Sequence, residues 1–547
     1  MARRAHAYPQ VRLTARDLVD GVVVAAPPGI SAGDALRLAR RRHAAVVACG
    51  DGHALVPDLA RAGALGLPEV PAAALARPLP VVEPDESEVA VRRRLAAGAP
   101  AVVVGGRDGP RGVVTRGPAP VPVSMRGRLE GAVDGGTHGL LATVGRVAAA
   151  CGARAFAAGG LVRDAGRARA SRSRDLDIVV EGDGLEVARA LATALGGTVV
   201  EHRRFLTASV EAPAAGGRID VATARSERYE APGALPRVLP ASIAQDLHRR
   251  DFTVNAMAIE LTSGTLALLD PLGGMHDLAA RRLRILHPLS FVEDPTRVFR
   301  AARYAVRLGF ALDPWTRRCR ALALSLAPFP ALSAARVATE VERLLADERP
   351  DLALAGLGRA GALRLLEPRF RWTRVTAARV AGLPAALAWT AARGVDVPAL
   401  ALAGLALAGD QTRTVAAGVL RGLALTGEPL ARALDALATD PPPAAPASAA
   451  AAALRRRPPV ALAWLWLTGD AAQRARLDWF AGGQSTLEPA LRGDDVIALG
   501  VPRGPQVATV LAALRDARAD GVFAEREAEV EFVRAWVRRG PPAREEG

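Results

Sequence analysis

The chain has 547 residues, half of them hydrophobic, and this length exceeds what a single hydrophobic core usually serves, so we expect three or four domains. Its 71 basic residues are all arginines and give a formal net charge of +15, which predicts an anionic partner such as nucleic acid. Because a P-loop ends in Gly-Lys-Ser or Gly-Lys-Thr, a sequence without lysine excludes that phosphate-binding motif.

The cysteines and the apolar runs bear on the cellular compartment. Cys49, Cys151 and Cys319 are far apart, which fits a reducing cytoplasm and predicts neither a zinc site nor a disulfide framework. The N-terminus lacks the apolar segment of a signal peptide. The longest strongly apolar run, around Val397–Gly409, is shorter than the ~20 residues that cross a bilayer. We therefore expect a soluble, cytoplasmic protein with no membrane partner.

Residues 12–116 form two similar halves, each with a β-branched stretch, a helix, an apolar strand and a glycine turn. This pattern resembles a tandem pair of CBS domains, a family in which a Gly-x-x-Thr/Ser-x-x-Asp segment contacts adenosine nucleotides. The second half keeps Gly112 and Thr115 but has Pro118 at the acidic position, and the first half has Pro57 in place of the hydroxyl. We therefore expect a structural or dimerising role ahead of adenylate binding.

The remaining segments change character along the chain. A Pro/Gly-rich linker over 117–137 leads to a predicted helix at Leu140–Cys151 and then to alternating short strands and helices up to about residue 280. Beyond Asp294 the Ala/Leu/Arg-rich segments have helical spacing. The Pro- and Ala-rich stretch Pro441–Ala453 predicts a flexible connector between two helical blocks.

The first motif that carries chemistry is Gly159–Asp164, followed eleven residues later by Asp175-Leu176-Asp177 at the start of a β-branched run. Side chains alternate along a strand, so Asp175 and Asp177 project from the same face. Two like charges held this close repel unless a cation lies between them, which predicts a Mg²⁺ site. The Gly-Gly turn lets backbone N–H groups approach a triphosphate that Arg163 can neutralise. Together these features predict a nucleotidyl-transfer site.

The second motif is Gln245–Ala258, which contains Arg249-Arg250-Asp251. The carboxylate can hold one of the two guanidiniums and leave the other for a phosphate or a ribose. Taken alone, however, the segment favours an ordinary helix N-terminus, with Asp251 as the N-cap and Asn255 facing solvent.

The third motif is Glu293–Arg303, where Pro295 suits a first helical turn and Asp294 precedes it as a cap. Arginines recur on one side of this predicted helix, at Arg297, Arg300 and Arg303. Asp294 and Arg297 are three residues apart and can touch. For an arginine-rich chain, this pattern by itself favours a surface helix with ion pairs.

In this order on one chain, the three motifs resemble the class II tRNA nucleotidyltransferases and the related bacterial poly(A) polymerases, of the polymerase-β-like nucleotidyltransferase superfamily. The resemblance covers about residues 138–365 and includes the segments Ile219–Arg225, Tyr229–Leu235 and Asp270–Asp277. It implies an α+β fold class: a head with a mixed sheet and helices, preceded by the α/β CBS pair and followed by an all-α neck, body and tail.

The resemblance also implies a role for individual residues. Contacts with the nucleotide's triphosphate, sugar or phosphate are implied for Gly159, Gly160, Arg163, Arg250 and Asp251. The implied metal ligands and catalytic carboxylates are Asp175 and Asp177, with Asp220 as a third candidate. Asp294 and Arg297 would present hydrogen bonds to the incoming base, supported by Arg300 and Arg303.

The predicted organisation has seven segments. These are CBS-like repeats at 1–116, a linker at 117–137, the catalytic head at 138–280, a helical neck at 281–365, a helical body at 366–440, a second linker at 441–458 and a helical tail at 459–547.

The implied reaction is attack of an RNA 3′-hydroxyl on the α-phosphate of ATP or CTP with Mg²⁺, releasing pyrophosphate and adding A, or CCA, to the 3′ end of tRNA. Addition of poly(A) to general RNA is an alternative within the same enzyme class. A catalytically inactive RNA-binding or adenylate-sensing CBS protein is an alternative of another class. Paired CBS repeats further suggest a homodimer.

Overall fold

The structure is a computed structural model that describes residues 13–106, 109–115, 123–169, 176–213, 217–483 and 487–539. The chain divides into two compact units, Met1–Ser333 and Ala334–Gly547. This division falls inside the predicted neck, so the first part of that segment belongs to the unit that also contains the head.

The N-terminal part of the first unit contains two three-stranded sheets of the same topology. Their strands are β1 (Val22–Ala25), β2 (Ala44–Cys49) and β3 (Gly52–Leu55), then β4 (Val81–Val82), β5 (Val102–Gly106) and β6 (Gly109–Val114). The accompanying helices are α1 (Ala32–Arg41), α2 (Val56–Ala64), α3 (Ala72–Leu75) and α4 (Glu88–Ala96). In each sheet the first two strands are parallel and the last two antiparallel. The predicted twofold repeat is therefore confirmed, while its relation to CBS domains stays a prediction.

The hydroxyl at which the CBS resemblance places nucleotide contact is already bonded within the protein. Thr115 donates through its backbone N–H (2.8 Å) and its hydroxyl (3.1 Å) to the Asp20 carboxylate. This contact ties the segment just before β1 of the first sheet to the end of β6 in the second sheet, which favours a structural role for the motif.

The head is built on a mixed eight-stranded sheet of order β10-β11-β12-β9-β8-β15-β16-β7. The strands of this part of the chain are β7 (Val123–Ser124), β8 (Arg154–Ala158), β9 (Leu176–Glu181), β10 (Thr198–His202), β11 (Thr207–Glu211), β12 (Arg218–Thr223), β13 (Arg225–Arg228), β14 (Arg237–Pro240), β15 (Ala258–Glu260), β16 (Ala267–Leu269), β17 (Arg282–Leu283) and β18 (Ala311–Leu312). Within the described residues of the large sheet, the β9–β12 pair is parallel and the other strand pairs are antiparallel, so the sheet is mixed. The predicted mixed sheet is confirmed.

Helices cover this sheet and lead away from it. They are α5 (Arg126–Glu130), α6 (Gly135–Ala150), α7 (Gly160–Gly166), α8 (Gly184–Leu195), α9 (Ile243–His248), α10 (Gly274–Ala279), α11 (Ser290–Glu293), α12 (Thr296–Leu308) and α13 (Pro314–Ser325). The core between sheet and helices includes Phe156, Val179, Ile243 and Leu247, all buried. Apolar residues therefore fix β8 and β9 side by side, and this places the two ends of the first motif next to each other.

The predicted linker at 117–137 differs from the structure. Its described residues include β7, which pairs with β16 at the edge of the sheet, and α5. Leu129, on α5, is fully buried. Glycine and proline content suggested a connector, but apolar residues between them join the head.

Within the described residues the second unit is helical. Its helices are α14 (Ala334–Leu345), α15 (Pro350–Arg359), α16 (Arg374–Arg393), α17 (Ala399–Ala408), α18 (Arg413–Gly422), α19 (Gly427–Leu437), α20 (Ala447–Arg455), α21 (Pro459–Thr468), α22 (Ala471–Ala481), α23 (Gly493–Ala498), α24 (Pro505–Ala519) and α25 (Arg526–Arg539). The helical character predicted beyond Asp294 is confirmed, apart from the two-residue strand β18.

The second predicted linker, 441–458, is largely wrong. Ala447–Arg455 forms α20, with Ala450, Ala451 and Leu454 buried and Ser448 bonded to Asp520. Alanine has the highest helix propensity, so only the preceding proline-rich residues behave as a connector.

One described helix, α16, is long and apolar enough to cross a membrane by length and composition. Such a helix also occurs in the cores of proteins that do not cross a membrane. This helix carries Arg379, whose guanidinium donates hydrogen bonds to the Ala406 carbonyl and to Asp410. Alone, it is weak support for a span.

Candidate active site

Two acidic residues lie side by side on neighbouring strands of the sheet, and one of them belongs to the first motif. Asp177 on β9 and Asp220 on β12 are direct neighbours across the parallel pair. Asp177 is exposed between the buried Leu176 and Ile178, as strand alternation requires. The structure therefore places the predicted third carboxylate beside the DxD segment.

Asp220 is not a bare carboxylate. Its Oδ1 accepts hydrogen bonds from Ser209 Oγ (2.8 Å) and Arg218 Nε (2.6 Å). A cation that used Asp220 as a ligand would have to share or displace these donors.

Asp175 lies outside the described residues, so its predicted position beside Asp177 stays a prediction. Among the described residues, no group of three or more His, Cys, Asp or Glu side chains is arranged to hold a metal. The described carboxylates Asp177 and Asp220 supply hard oxygen donors of the kind Mg²⁺ prefers, and Mg²⁺ is commonly held by only one or two carboxylates together with substrate phosphates.

The glycine turn lies directly against Asp177. Gly159 has φ +67° and ψ −131°, a backbone conformation that favours glycine, and it precedes the first residue of α7. A Cβ at Gly159 would lie 2.7 Å from Asp177 Oδ2. At Gly160, by contrast, a Cβ would meet only Arg163 Nη2 at 3.5 Å, an ordinary contact. Of the two glycines, Gly159 is the one that this geometry requires.

The three sequence motifs meet in one chain of buried hydrogen bonds. Arg163 on α7 donates from Nη1 to Asn255 Oδ1 (3.0 Å). Asn255 Nδ2 donates to Asp251 Oδ1 (3.0 Å). Arg300 on α12 donates to Asp251 Oδ2 from Nε (2.9 Å) and Nη2 (2.6 Å). One residue from each of the first and third motifs is thus tied to the second.

This arrangement overturns the plainer expectation for the second motif. Asp251 is 6% exposed and Asn255 is 7% exposed, so neither is a surface cap. Burial alone would raise the pKa of Asp251, but Arg300 and the Asn255 amide outweigh it and hold that pKa below its usual value. A charged carboxylate is buried here because two segments supply its donors.

The pairing predicted within Arg249-Arg250-Asp251 is also wrong. Both arginines are held by the fully buried Asp246, which accepts from Arg249 Nη2 at Oδ1 (2.7 Å) and from Arg250 Nη2 at Oδ2 (3.0 Å). Asp251 instead holds Arg300, 49 residues along the chain. A helical spacing of three and four residues joins Asp246 to the arginines, which a sequence reading could have detected.

Arg163 is not a surface arginine. It is 4% exposed and also donates from Nε to Asp164 Oδ1 (3.1 Å). Its guanidinium is therefore a structural member of the cluster, and its predicted contact with a triphosphate stays a prediction.

The third motif begins as predicted and then differs. Asp294 Oδ1 accepts from the Thr296 backbone N–H (3.1 Å) and hydroxyl (2.6 Å), which confirms its capping role before α12. Arg297 is buried and donates to Ser290 Oγ (2.8 Å) and to the Arg249 carbonyl (2.8 Å), so the expected surface helix is wrong. Burial would lower the pKa of Arg297, but Tyr229 and the nearby carboxylates of Asp294, Glu293 and Asp251 raise it.

Tyr304, which sequence reasoning missed, is surrounded by arginines. The guanidinium carbons of Arg163, Arg300 and Arg303 lie 5.7, 5.6 and 5.7 Å from its ring centroid. The Phe252 ring packs edge-on at 6.0 Å. Cation–π attraction draws guanidiniums to an aromatic face, so the ring helps to gather like charges that would otherwise repel. The chain has only three tyrosines, and one placed directly after Arg303 was the available signal.

A second buried cluster lies immediately before Asp294. Glu293 accepts from Arg61 Nη1 at Oε1 (2.7 Å), and its Oε2 lies 3.2 Å from His287 Nε2. Burial and the nearby Arg61 lower the pKa of His287, so the imidazole is neutral near pH 7 and donates to Glu293. Burial alone would raise the pKa of Glu293, but His287 and Arg61 lower it to about 2. Arg61 belongs to α2, so the N-terminal repeats directly contact the segment that leads into α12.

Known proteins are similar to this chain over the head and beyond it. Residues 155–284 match the family described as "Poly A polymerase head domain". A CC-adding tRNA nucleotidyltransferase of Deinococcus radiodurans is 34% identical over 386 residues, which cover 70% of this chain and 90% of that protein. This chain belongs to the tRNA nucleotidyltransferase family.

A-adding members of the tRNA nucleotidyltransferase family match a smaller part of this chain. An A-adding tRNA nucleotidyltransferase of Geobacter sulfurreducens is 39% identical over 233 residues, 42% of this chain and 26% of that protein. Across this and two further A-adding relatives, the match spans between 23% and 47% of the relative's length. A solved structure of a CCA-adding enzyme in an apo form has a TM-score of 0.67 and 26% identity, covering 76% of this chain and 100% of that one.

The Glu293 cluster generates a pH-dependent prediction. A carboxyl group whose pKa is depressed in the folded state stabilises the fold above its unfolded pKa of about 4.5 and loses that effect as pH falls towards about 2. We expect Glu293→Gln to lower the free energy of unfolding by roughly 3 kcal/mol at pH 7 and by progressively less below pH 4.5. Denaturant unfolding of both proteins between pH 7 and pH 3.5 measures the difference.

Glu230→Gln is the matched control, because Glu230 forms an exposed pair with Arg237 at 3.3 Å. An exposed pair contributes about 0–1 kcal/mol, so this variant should differ little from the parent. A Glu293→Gln difference that stays constant from pH 7 to pH 3.5 would contradict the assignment of a buried, ionised carboxylate.

Proposed function

We propose that this chain transfers a nucleotide from ATP, or from ATP and CTP, to the 3′ end of tRNA and releases pyrophosphate, without a nucleic-acid template. The observation that carries the proposal is that hydrogen bonds join three motifs far apart in sequence, through Arg163, Asn255, Asp251 and Arg300. In addition, Gly159 lies against Asp177 at the start of α7, the helix that carries Arg163. A network of buried polar groups whose hydrogen bonds are satisfied holds those groups in one arrangement, as a site for substrate positioning requires.

Mg²⁺ is the proposed cofactor, and Asp177 with Asp175 would hold it, with Asp220 as a third candidate. When bound, a divalent cation lowers the pKa of the attacking hydroxyl and offsets the charge on the leaving phosphates. Magnesium's preference for oxygen ligands fits these carboxylates, and the pair otherwise repels.

The remaining residues position the substrates in this proposal. The backbone at Gly159 and Gly160 opens the turn to a triphosphate, since no Cβ occupies the space beside Asp177. Asp246 fixes Arg249 and Arg250 and leaves Arg250 half-buried at the edge of the cluster for a sugar or phosphate. Asp294 and Arg297 lie on the segment proposed to face the incoming base, and Arg300, Arg303 and Tyr304 support it. Holding reactants in a fixed geometry supplies much of the rate in phosphoryl transfer.

The choice between A and CCA addition is part of the proposal. Relatives described as A-adding share up to 41% identity with this chain, and the CC-adding relative shares 34% over a longer stretch. We favour addition of A, because the N-terminal repeats resemble the CBS pair of longer A-adding enzymes. The repeats are proposed to be structural, with dimerisation as their further role, and the proposed location is the cytoplasm.

Labelled ATP or CTP with tRNAs ending before, within or at CCA tests the proposal. Addition of a single A to tRNA ending in CC supports the favoured form, and addition of CCA to a fully truncated tRNA supports the broader one. Long A tails on any RNA would indicate a poly(A) polymerase instead. Absence of incorporation under all conditions would indicate an RNA-binding or adenylate-sensing protein and contradict the proposal.

Asp177→Asn should abolish incorporation, because it removes a metal-binding charge while preserving side-chain shape. Loss of several kcal/mol of transition-state stabilisation corresponds to a rate at least about a thousandfold lower. Single-nucleotide incorporation under single-turnover conditions measures the rate. Asp34→Asn changes an exposed carboxylate of the repeats in the same way and should leave the rate unchanged. Incorporation retained by Asp175→Asn/Asp177→Asn would reject the metal assignment.

Gly159→Ala should reduce incorporation far more than Gly152→Ala does. Both glycines have φ +67°, a backbone conformation that alanine rarely adopts, so a substitution at either position strains the backbone. A Cβ at Gly152 meets nothing within 4 Å, whereas one at Gly159 meets the Asp177 carboxylate at 2.7 Å and must displace it. Incorporation rates are compared at a temperature where thermal unfolding shows both variants to be folded; equal rates in the two variants would show that the contact with Asp177 has no part in the reaction.

A further inference from the structure

A cavity of about 300 Å³ lies between the N-terminal repeats and the residues where the head ends and the following segment begins. One wall comes from the residues before β4 and after α4, and the other from α10, β17 and the start of α13. Four guanidiniums line it, those of Arg77, Arg94, Arg282 and Arg284, against the carboxylates of Asp277 and Asp313. None of the residues proposed for catalysis lines this cavity.

Hydrogen bonds hold the two walls together. Arg284 Nη1 donates to the Gly98 carbonyl (3.0 Å), and Trp315 Nε1 donates to the Ala76 carbonyl (3.2 Å). The guanidinium carbon of Arg77 lies 4.3 Å from the Trp315 ring centroid. The cavity is therefore a built feature between two packed parts of one compact unit.

Two buried polar atoms of the lining have no hydrogen-bond partner within the described residues. Arg77, 7% exposed, leaves its Nε–H without an acceptor. Asp277, 1% exposed, uses Oδ2 to accept from Thr253 and Arg284, but its Oδ1 has no donor. An unmet buried donor or acceptor costs about 1–3 kcal/mol, so a ligand that supplies both groups is favoured.

The arginines at the rim are only weakly engaged. Arg282 makes one 3.5 Å contact with Asp313, and nearly half of its side chain is exposed. Arg94 pairs with Glu86 at 3.1 Å, with both side chains about one third exposed. Partly exposed pairs are easily exchanged, and a guanidinium binds phosphate through two parallel hydrogen bonds.

We propose that this cavity binds a small phosphate-bearing ligand, with Arg94 and Arg282 on the phosphate. A phosphate monoester or pyrophosphate supplies acceptors for Arg77, and its protonated oxygen, or a hydroxyl of an attached nucleoside, supplies a donor for Asp277. Pro78, Pro80, Pro100 and Trp315 add an apolar surface that suits a nucleoside. The shared chemistry is the phosphate group, carried either by a nucleotide or by a free anion.

Calorimetry and thermal unfolding of the full chain test the proposal with four probes: phosphate, pyrophosphate, AMP and adenosine. EDTA in the buffer leaves the carboxylates at Asp177 without a cation, so that this site repels anions. We expect pyrophosphate or AMP to bind and to raise the unfolding temperature, because a ligand that binds only the folded state stabilises it. Tighter binding of AMP identifies a nucleotide as the ligand, and tighter binding of pyrophosphate identifies the free anion.

The decisive comparison is Arg94→Ala/Arg282→Ala against Arg37→Ala, which removes an exposed arginine of the repeats paired only to Asp34. The double variant should bind at least tenfold more weakly, with its unfolding temperature and nucleotide incorporation without added ligand unchanged. Arg37→Ala should bind like the parent. Three results would each overturn the proposal: no binding of any phosphate probe, equal affinity of the double variant and the parent, or adenosine bound as tightly as AMP.

Discussion

The site depends on the hydrogen bonds that the buried carboxylate of Asp251 accepts. It lies in the core because Arg300 donates two hydrogen bonds to one oxygen, while Asn255 and the Phe252 N–H donate to the other. Removing one partner of a buried ion pair leaves an uncompensated charge, which is far costlier than losing a surface pair. Through Asn255 the same carboxylate fixes Arg163, and Arg163 belongs to α7, which follows Gly159 directly. These hydrogen bonds therefore fix the position of the turn beside Asp177 relative to the side of α12 that carries the arginines.

The N-terminal repeats are joined to this framework through charge rather than through apolar packing alone. Arg61 reaches Glu293 one residue before Asp294, and Arg284 reaches back to the repeats at Gly98. Both contacts involve buried or half-buried groups, so they are screened little by salt. The N-terminal repeats therefore contact the segment that precedes α12, which is the segment proposed to face the incoming base.

Sequence alone predicted the motifs that the structure brings together, and much less about the partners of their residues. The order of the three motifs, the mixed sheet, the position of Asp220 beside the DxD strand and the cap at Asp294 followed from period, spacing and family resemblance. The bond between Asp251 and Arg300 did not, because it joins residues 49 positions apart and competes with two arginines adjacent in sequence. Composition misled in the opposite way at α20, where proline frequency suggested a connector and alanine propensity produced a helix. Asp175 lies outside the described residues, so its place beside Asp177 stays a prediction.

The edge strand β7 has a practical consequence for preparing the head as an isolated fragment. It precedes the head along the chain, yet it completes the sheet by pairing with β16, and Met125 just after it donates its N–H to the Leu266 carbonyl. A fragment cut at residue 138 would expose the backbone groups of β16 to solvent and to other chains, a known cause of aggregation. An isolated head would therefore have to begin upstream of Val123 to remain monodisperse, which places its natural boundary well before the helix that first suggests it.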